Sequence, residues 1–317
     1  MSGQVWGTNS LGGYMYSDQL SEILRTALQP MVRFRQHADI KEGKGESSGD
    51  RLFWNVYSDV ADGADEAGLS EDNPMPETNY TITQENLTVT EFGNSVPFTK
   101  KLDDLSKQPV TEVINKVLKN DARKTLDKAA YNKFNLTPLQ VVPTGGTSTS
   151  AITLTTNGTA AAVNNKAMGK QHVRLISDNV LAERNITPFD GEHYGCIGRP
   201  STFTNLKSEL EAVYQYVDQG FGLIYNGEIG RFEGVRFMRQ TGVASQAWTN
   251  GQSDPAFFFG ADTVTEAIVI PEEIRGKIPT DFGRSRGIAW YYLGGFGINF
   301  TTAANSRIVK WASQGEG

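Results

Sequence analysis

The sequence predicts an α+β fold, and three observations predict it. A long run of helical period occupies 109–134, strand-like segments of period two flank it, and helices and strands alternate unevenly after a composition break near 150. At 317 residues the chain can bury a substantial core without staples, and its single cysteine, Cys196, excludes an intrachain disulfide framework. No window approaches the roughly 18 unbroken apolar residues of a membrane helix. The opening stretch MSGQVWGTNSLGGYMYS has neither the basic flank nor the apolar centre of a signal peptide. We therefore expect a soluble protein made in a reducing compartment, with no membrane partner.

A formal net charge of -6 and a pI near 5.3 argue against a protein that grips nucleic acid, because phosphate binding normally shows as clustered Lys and Arg. Any DNA contact should be loose. The 33 glycines exceed the usual share of roughly 7% without a fibrous period, so bends and hinges are expected throughout.

Residues 17–29 place Leu20, Ile23, Leu24, Ala27 and Leu28 at helical spacing after Ser17, and Pro30 stops the run. Around this short amphipathic helix the sequence is polar and glycine-rich, too poor in apolar side chains for a core. It reads as an arm that lies on something else, with a frayed terminus as the simpler alternative.

Two strand segments follow. In RLFWNVYSDV, Leu52, Trp54, Val56 and Val60 alternate with Arg51, Asn55 and Asp59, and the second segment spans roughly Tyr80 to Thr99. Between them lies ADGADEAGLSEDNPMPETN, acidic, rich in turn formers and nearly devoid of large apolar groups. A connection that long is normally functional or disordered, and an isolated two-stranded ribbon is marginal in water. The expectation is a hairpin that projects and is stabilised by a neighbouring molecule. The alternative is a hairpin folded onto its own domain.

The helix at 109–134 sets Val110, Val113, Ile114, Val117, Leu118, Leu126, Ala129, Ala130 and Phe134 against a charged face of Glu112, Lys116, Lys119, Asp121, Arg123, Lys124 and Asp127. Pro138 ends it. A Thr, Gly and Ala-rich connection at 141–165 holds a brief strand at Ile152 to Thr155. Beyond it we expect a helix at 166–185, a strand at 193–197, a helix at 201–216, and a tight glycine-assisted hairpin in GEIGRFEGVRFMRQ. The end is strand-rich, with Gly294, Gly295 and Gly297 marking bulges or close backbone approach.

Catalytic patterns fail on context. GESSG at 45–49 matches a nucleophile elbow but precedes a strand instead of opening a helix, so Ser47 reads as part of a flexible turn. GKGESSG misses the dinucleotide fingerprint, and no Walker A motif is present. The histidines His37, His172 and His193 lie far apart, and His193 with Cys196 lacks the second ligand pair of a structural zinc site. Solvated loop charge is the better reading of Asp59, Asp62, Asp65, Glu66, Glu71 and Asp72 than a calcium loop. Trp54, Tyr57, Tyr214, Tyr216, Trp290 and Tyr291 are interface anchors or ordinary core.

Four phrases carry a resemblance: LRTALQPMVRF, a strand followed by LSEDNPMP, NLTVTEFGNSVPFTKKL, and above all IYNGEIGRFEGVRFM. With the order of elements, they resemble the major capsid proteins of tailed phages with the Hong Kong 97-type fold, specifically the capsid family typified by podophage N-four. Glu71-Asp72 departs from the Glu-Gly expected before the proline. The resemblance implies an N-terminal arm at 1–48, an extended β-hairpin loop at 49–100, a peripheral domain with its long spine helix at 101–165, an axial domain at 166–280, and returning peripheral strands at 281–317. It implies a non-enzymatic major capsid protein that assembles into hexamers and pentamers of an icosahedral shell around double-stranded DNA, with no cofactor or metal.

The implied partners are other copies of the chain, a portal, decoration proteins and loosely held DNA, in the virion after assembly in the host cytoplasm. Intersubunit contacts are expected at Arg51, Trp54, Tyr57, Asp62, Glu66, Glu71, Arg123, Lys124 and Tyr216. With Met1 at the start, no N-terminal maturation cleavage is expected. The alternatives are another phage structural protein, such as a tail tube or decoration protein, and a hydrolase using the GESSG turn and a histidine.

Overall fold

The computed structural model describes residues 32–41, 49–57, 72, 74–75, 77, 79–143, 151–160, 167–214, 228–243, 246–248 and 251–312. In chain order, a 3-10 turn at Arg35–His37 leads into β1 (Asp39–Lys41), then β2 (Arg51–Tyr57), β3 (Ile82–Thr88), β4 (Thr90–Thr99), α1 (Lys100–Leu105) and α2 (Val110–Phe134). Next come β5 (Leu139–Pro143), β6 (Ile152–Thr155), α3 (Lys170–Leu175) continued by a π-helical stretch at Ile176–Ala182, β7 (Tyr194–Gly198) and α4 (Thr204–Tyr214). The rest is strand: β8 (Glu228–Phe232), β9 (Val235–Arg239), β10 (Gln246–Trp248), β11 (Gly251–Ser253), β12 (Ala256–Phe259), β13 (Val264–Gly276), β14 (Ser285–Ile298) and β15 (Ile308–Trp311).

The helical period of the sequence becomes α2, in which Val110, Ile114, Leu118, Ala122, Leu126, Ala130 and Phe134 form one buried row four residues apart. Its 25 residues give a rod about 37 Å long. Thr99 caps α1 by accepting the Leu102 N–H at 3.3 Å. The segment expected as one strand at 80–99 is two, because the ladder changes partner at Val89: β3 pairs with β2, and β4 pairs with β14. Val89 instead donates to the Asp50 carbonyl at 2.8 Å. The helix expected at 166–185 covers 170–182, and Asn185 leaves it with φ 54 in the left-handed region. At 201–216 the chain starts as a 3-10 turn, Pro200–Phe203, before α4.

A seven-stranded sheet in the order β6-β5-β15-β12-β7-β9-β8 divides the interior. Its central strand β12 is buried on both faces, which accounts for the unbroken run AFFF: Phe257 and Phe259 enter the core beneath α2, and Phe258 enters the core beneath α3 and α4. The first core also takes Trp290, Tyr292 and Phe296 of β14, which lies in a four-stranded sheet, β1-β13-β14-β4. The β8–β9 turn at Glu233 and Gly234 has φ 47 and 70, the positive pair of a tight hairpin.

Strand pairing does not follow the linear segments. Most of β13 pairs with β14, although it lies within 166–280, and β5 joins the seven-stranded sheet beside β15. The described end of the expected arm is likewise built into this chain's own core. Phe34 is 0% exposed, with the rings of Tyr131, Phe134 and Phe257 at 5.2, 5.3 and 5.7 Å. The Arg35 backbone donates to Asp127 at 3.1 Å, and its guanidinium holds Glu266 at 2.7 Å and also Glu272. Glu266, 1% exposed, also accepts a bond from the Tyr292 hydroxyl at 2.8 Å. β1 then adds in parallel to β13.

Candidate assembly surfaces

The hairpin of β2 and β3 has two unlike faces, set by the alternation of its residues. Inward, Leu87 is 2% exposed, Trp54 donates its indole N–H to the Asn299 carbonyl at 3.3 Å, and the Glu85 carboxylate accepts from the Thr301 hydroxyl at 2.5 Å. Glycine makes this approach feasible. A Cβ on Gly295 would stand 2.6 Å from the Thr88 carbonyl oxygen, and one on Gly297 would stand 3.0 Å from both Leu87 and Trp54. The base of the hairpin is therefore docked on its own chain, where the sequence reading expected projection. Trp54 belongs to that seat.

Outward, Phe53, Tyr57 and Ile82 are 50%, 77% and 58% exposed. Tyr57 pairs directly with Ile82, so their side chains share one face. Arg51 stands on the same outer face as Phe53, opposite Thr88. Asp62, Glu66, Glu71, Tyr216 and Ser47 lie outside the described residues.

A groove of about 510 Å³ separates α2 from the β13–β14 pair, with Glu112, Lys119, Arg123, Glu273, Ile274 and Trp290 among its lining. Arg123 is thus part of a concave surface. Lys124, half-buried, is on the same helix but outside that lining. At the far end of the β13–β14 ribbon, Asp281, Phe282 and Gly283 have φ 55, 51 and 87. Phe282 is fully exposed and Ile278 nearly so. The turn is held by backbone bonds from Gly283 and Ser285 to Thr280 and from Arg284 to Asp281. The sequence reading missed this tip, although an isolated Phe in the turn-forming run TDFGRS was the available signal.

Buried polar groups here are structural. Burial pushes the Cys196 thiol well up, away from the reactive thiolate. His193 sits 3.4 Å from Asp190, which also holds Arg236 at 2.7 Å. Among the described residues no three His, Cys, Asp or Glu side chains converge as a metal site, and no helix is long and apolar enough to cross a membrane.

Solved structures share this architecture over nearly their full length. The Cyanophage Pam1 capsid asymmetric unit is similar with a TM-score of 0.69 at 16% identity, covering 98% of this chain and 100% of that one. The capsid of Ralstonia phage GP4 gives 0.68 at 13% identity over 99% of both chains, and the head structure of Helicobacter pylori bacteriophage KHP40 gives 0.63 at 11% over 100% of both. The fold is thus the Hong Kong 97-type fold of tailed-phage capsids. No curated protein matches the chain. The family described as Phage capsid protein matches residues 83–306, more than two thirds of the sequence, and the chain belongs to that family. It is a major capsid protein: a structural component of the virion whose copies associate into a shell, and not an enzyme.

Proposed function

We propose that this protein forms hexamers and pentamers of an icosahedral shell that encloses double-stranded DNA. Assembly takes place in the host cytoplasm, with a portal and decoration proteins as further partners. The carrying observation is the half-docked hairpin: Trp54 and Leu87 bind it to its own chain, while Phe53, Tyr57 and Ile82 are left open on the other face. Exposed apolar surface of this kind marks a protein contact.

In this reading 1–48 is the arm and 49–100 the extended loop laid across an adjacent subunit. The peripheral domain takes 101–165, β13 and the strands of 281–317, and the remainder of 166–280 is axial. Arg51, Tyr57, Asp62, Glu66, Glu71, Arg123, Lys124 and Tyr216 contact neighbours. Head-to-tail contacts of this type close into rings. Individually weak contacts become durable because each subunit is held at several places. A net charge of -6 holds packaged DNA loosely.

Sedimentation and negative-stain microscopy of the purified protein test this reading. Closed shells built from rings are expected. Open tubes or a stable monomer would overturn it.

A further inference from the structure

The edge of the seven-stranded sheet carries a reactive pair in its own backbone. β6 is the outermost strand there and pairs with β5 alone. It runs into an exposed bend at 156–159 that contains Asn157-Gly158. The same pair recurs in the sequence at 226–227 and 250–251, where Asn226 and Asn250 lie outside the described residues.

Two bonds tie the bend to the neighbouring chain. The Gly158 N–H donates to the Pro138 carbonyl at 2.8 Å, and the buried Gln140 side-chain amide donates to the Gly158 carbonyl. Within the bend, the Asn157 side-chain oxygen accepts the Thr159 N–H at 3.0 Å, which folds the side chain back along its own main chain. Gly158, at φ 75, has no Cβ to shield its nitrogen.

That nitrogen can attack Cγ of Asn157. The N–Cγ bond forms and the Cγ–Nδ2 bond breaks; the proton of the nitrogen passes through water to the departing amide, which leaves as ammonia. Water then opens the cyclic imide at either carbonyl, giving aspartate or isoaspartate. Nothing is oxidised or reduced, and water is the co-reactant. Charge that builds on Oδ1 during the attack meets the Thr159 N–H already in place, as in an oxyanion hole. The opposing feature is the Gly158–Pro138 bond, which must open before the nitrogen is available.

We propose that Asn157 converts itself in the folded chain, through this imide, to aspartate and isoaspartate, and that opening of the Gly158–Pro138 bond sets the rate. Isoaspartate routes the main chain through the side-chain carbon and so adds a methylene between 157 and 158. Gly158 then no longer meets Pro138 and Gln140 together, and Gln140, 6% exposed, loses its acceptor. The sheet edge loosens with age, and each converted copy gains a negative charge. The site stands on the single chain and is independent of the proposed shell.

The test holds full-length protein at mildly alkaline pH, folded or in urea. Digests are mapped by mass spectrometry, with an isoaspartate-specific methyltransferase marking the rearranged product. Conversion at Asn157 is expected in both samples, about two- to tenfold slower in the folded chain, which is the opening equilibrium of one hydrogen bond. Gln140→Leu removes the second tie on Gly158 and should narrow that gap; should it fail to fold, the ratio measured on the unaltered chain decides. Hydrogen exchange of aged protein should lose protection in β6 before β12.

Conversion in urea with none at Asn157 in the folded chain overturns the site. Equal rates in the two samples overturn the Gly158–Pro138 bond as its gate. Isoaspartate at 157 with β6 still fully protected overturns the loosening of the sheet edge.

Discussion

Trp54 donates its indole N–H to the carbonyl of Asn299, joining an early strand to a residue 245 positions later at 3.3 Å. This seat divides the hairpin into a face owned by the chain and a face open to another copy. Most of its steric tolerance comes from glycines on β14.

Gly295→Ala tests the seat, because the added Cβ would meet backbone oxygen, which cannot swing aside. We expect a loss of about 2 kcal/mol in urea unfolding. Hydrogen exchange should lose protection in β2 and β3 before β12. Uniform loss across all sheets would contradict a local seat.

Arg35 and Glu266 make a second long-range tie, with Glu266 1% exposed. Arg35→Met leaves that carboxylate buried without its cation and should cost about 3–5 kcal/mol. Adding Glu266→Gln should recover part of the loss, since the buried charge goes as well. Equal destabilisation in the single and double variants would argue that the ion pair is not what holds the 32–41 segment.

His37 lies between Phe189 and Phe259, with ring centroids 5.1 Å away in both cases. Burial, helped by Arg33, pushes its pKa down from 6.5 to about 4. A depressed folded-state value means a contribution present above pH 6.5 that is lost as the pH falls through about 4. Asp127 has the opposite sign: burial raises its pKa, so its contribution is lost as pH rises through the folded value. We expect His37→Phe to flatten the acid side, narrowing the stability difference between pH 7 and pH 4.5 by about 2 kcal/mol. Parallel denaturation midpoints for the two proteins across that window would contradict this.

Phe282 has φ 51 and an exposed ring, which costs backbone energy and returns nothing within one chain. Phe282→Gly should leave thermal stability of the monomer unchanged or raise it by up to about 1 kcal/mol, while lowering shell yield in light scattering. A destabilised monomer would show that the ring has an internal role.

Local pattern made much of this legible. The α2 row at four-residue spacing, the alternation of Leu52, Trp54 and Val56, and the Glu233-Gly234 turn all read directly from neighbouring residues. Pairings did not. That β5 lies beside β15, or that Arg35 meets Glu266, depends on contacts between residues more than 160 positions apart, which no periodicity encodes. The break at Val89 was hidden for the same reason, because both strands share one apolar rhythm and only their partners differ. Tyr57 and Arg123, named from sequence as contact residues, are both exposed in the fold.

The central claim is that assembly depends on a loop the monomer does not need. Deleting 61–79 and examining the purified protein by sedimentation and negative-stain microscopy tests it most directly. A cooperatively folded monomer that forms no shells is the predicted result; shells of normal size and yield would contradict it.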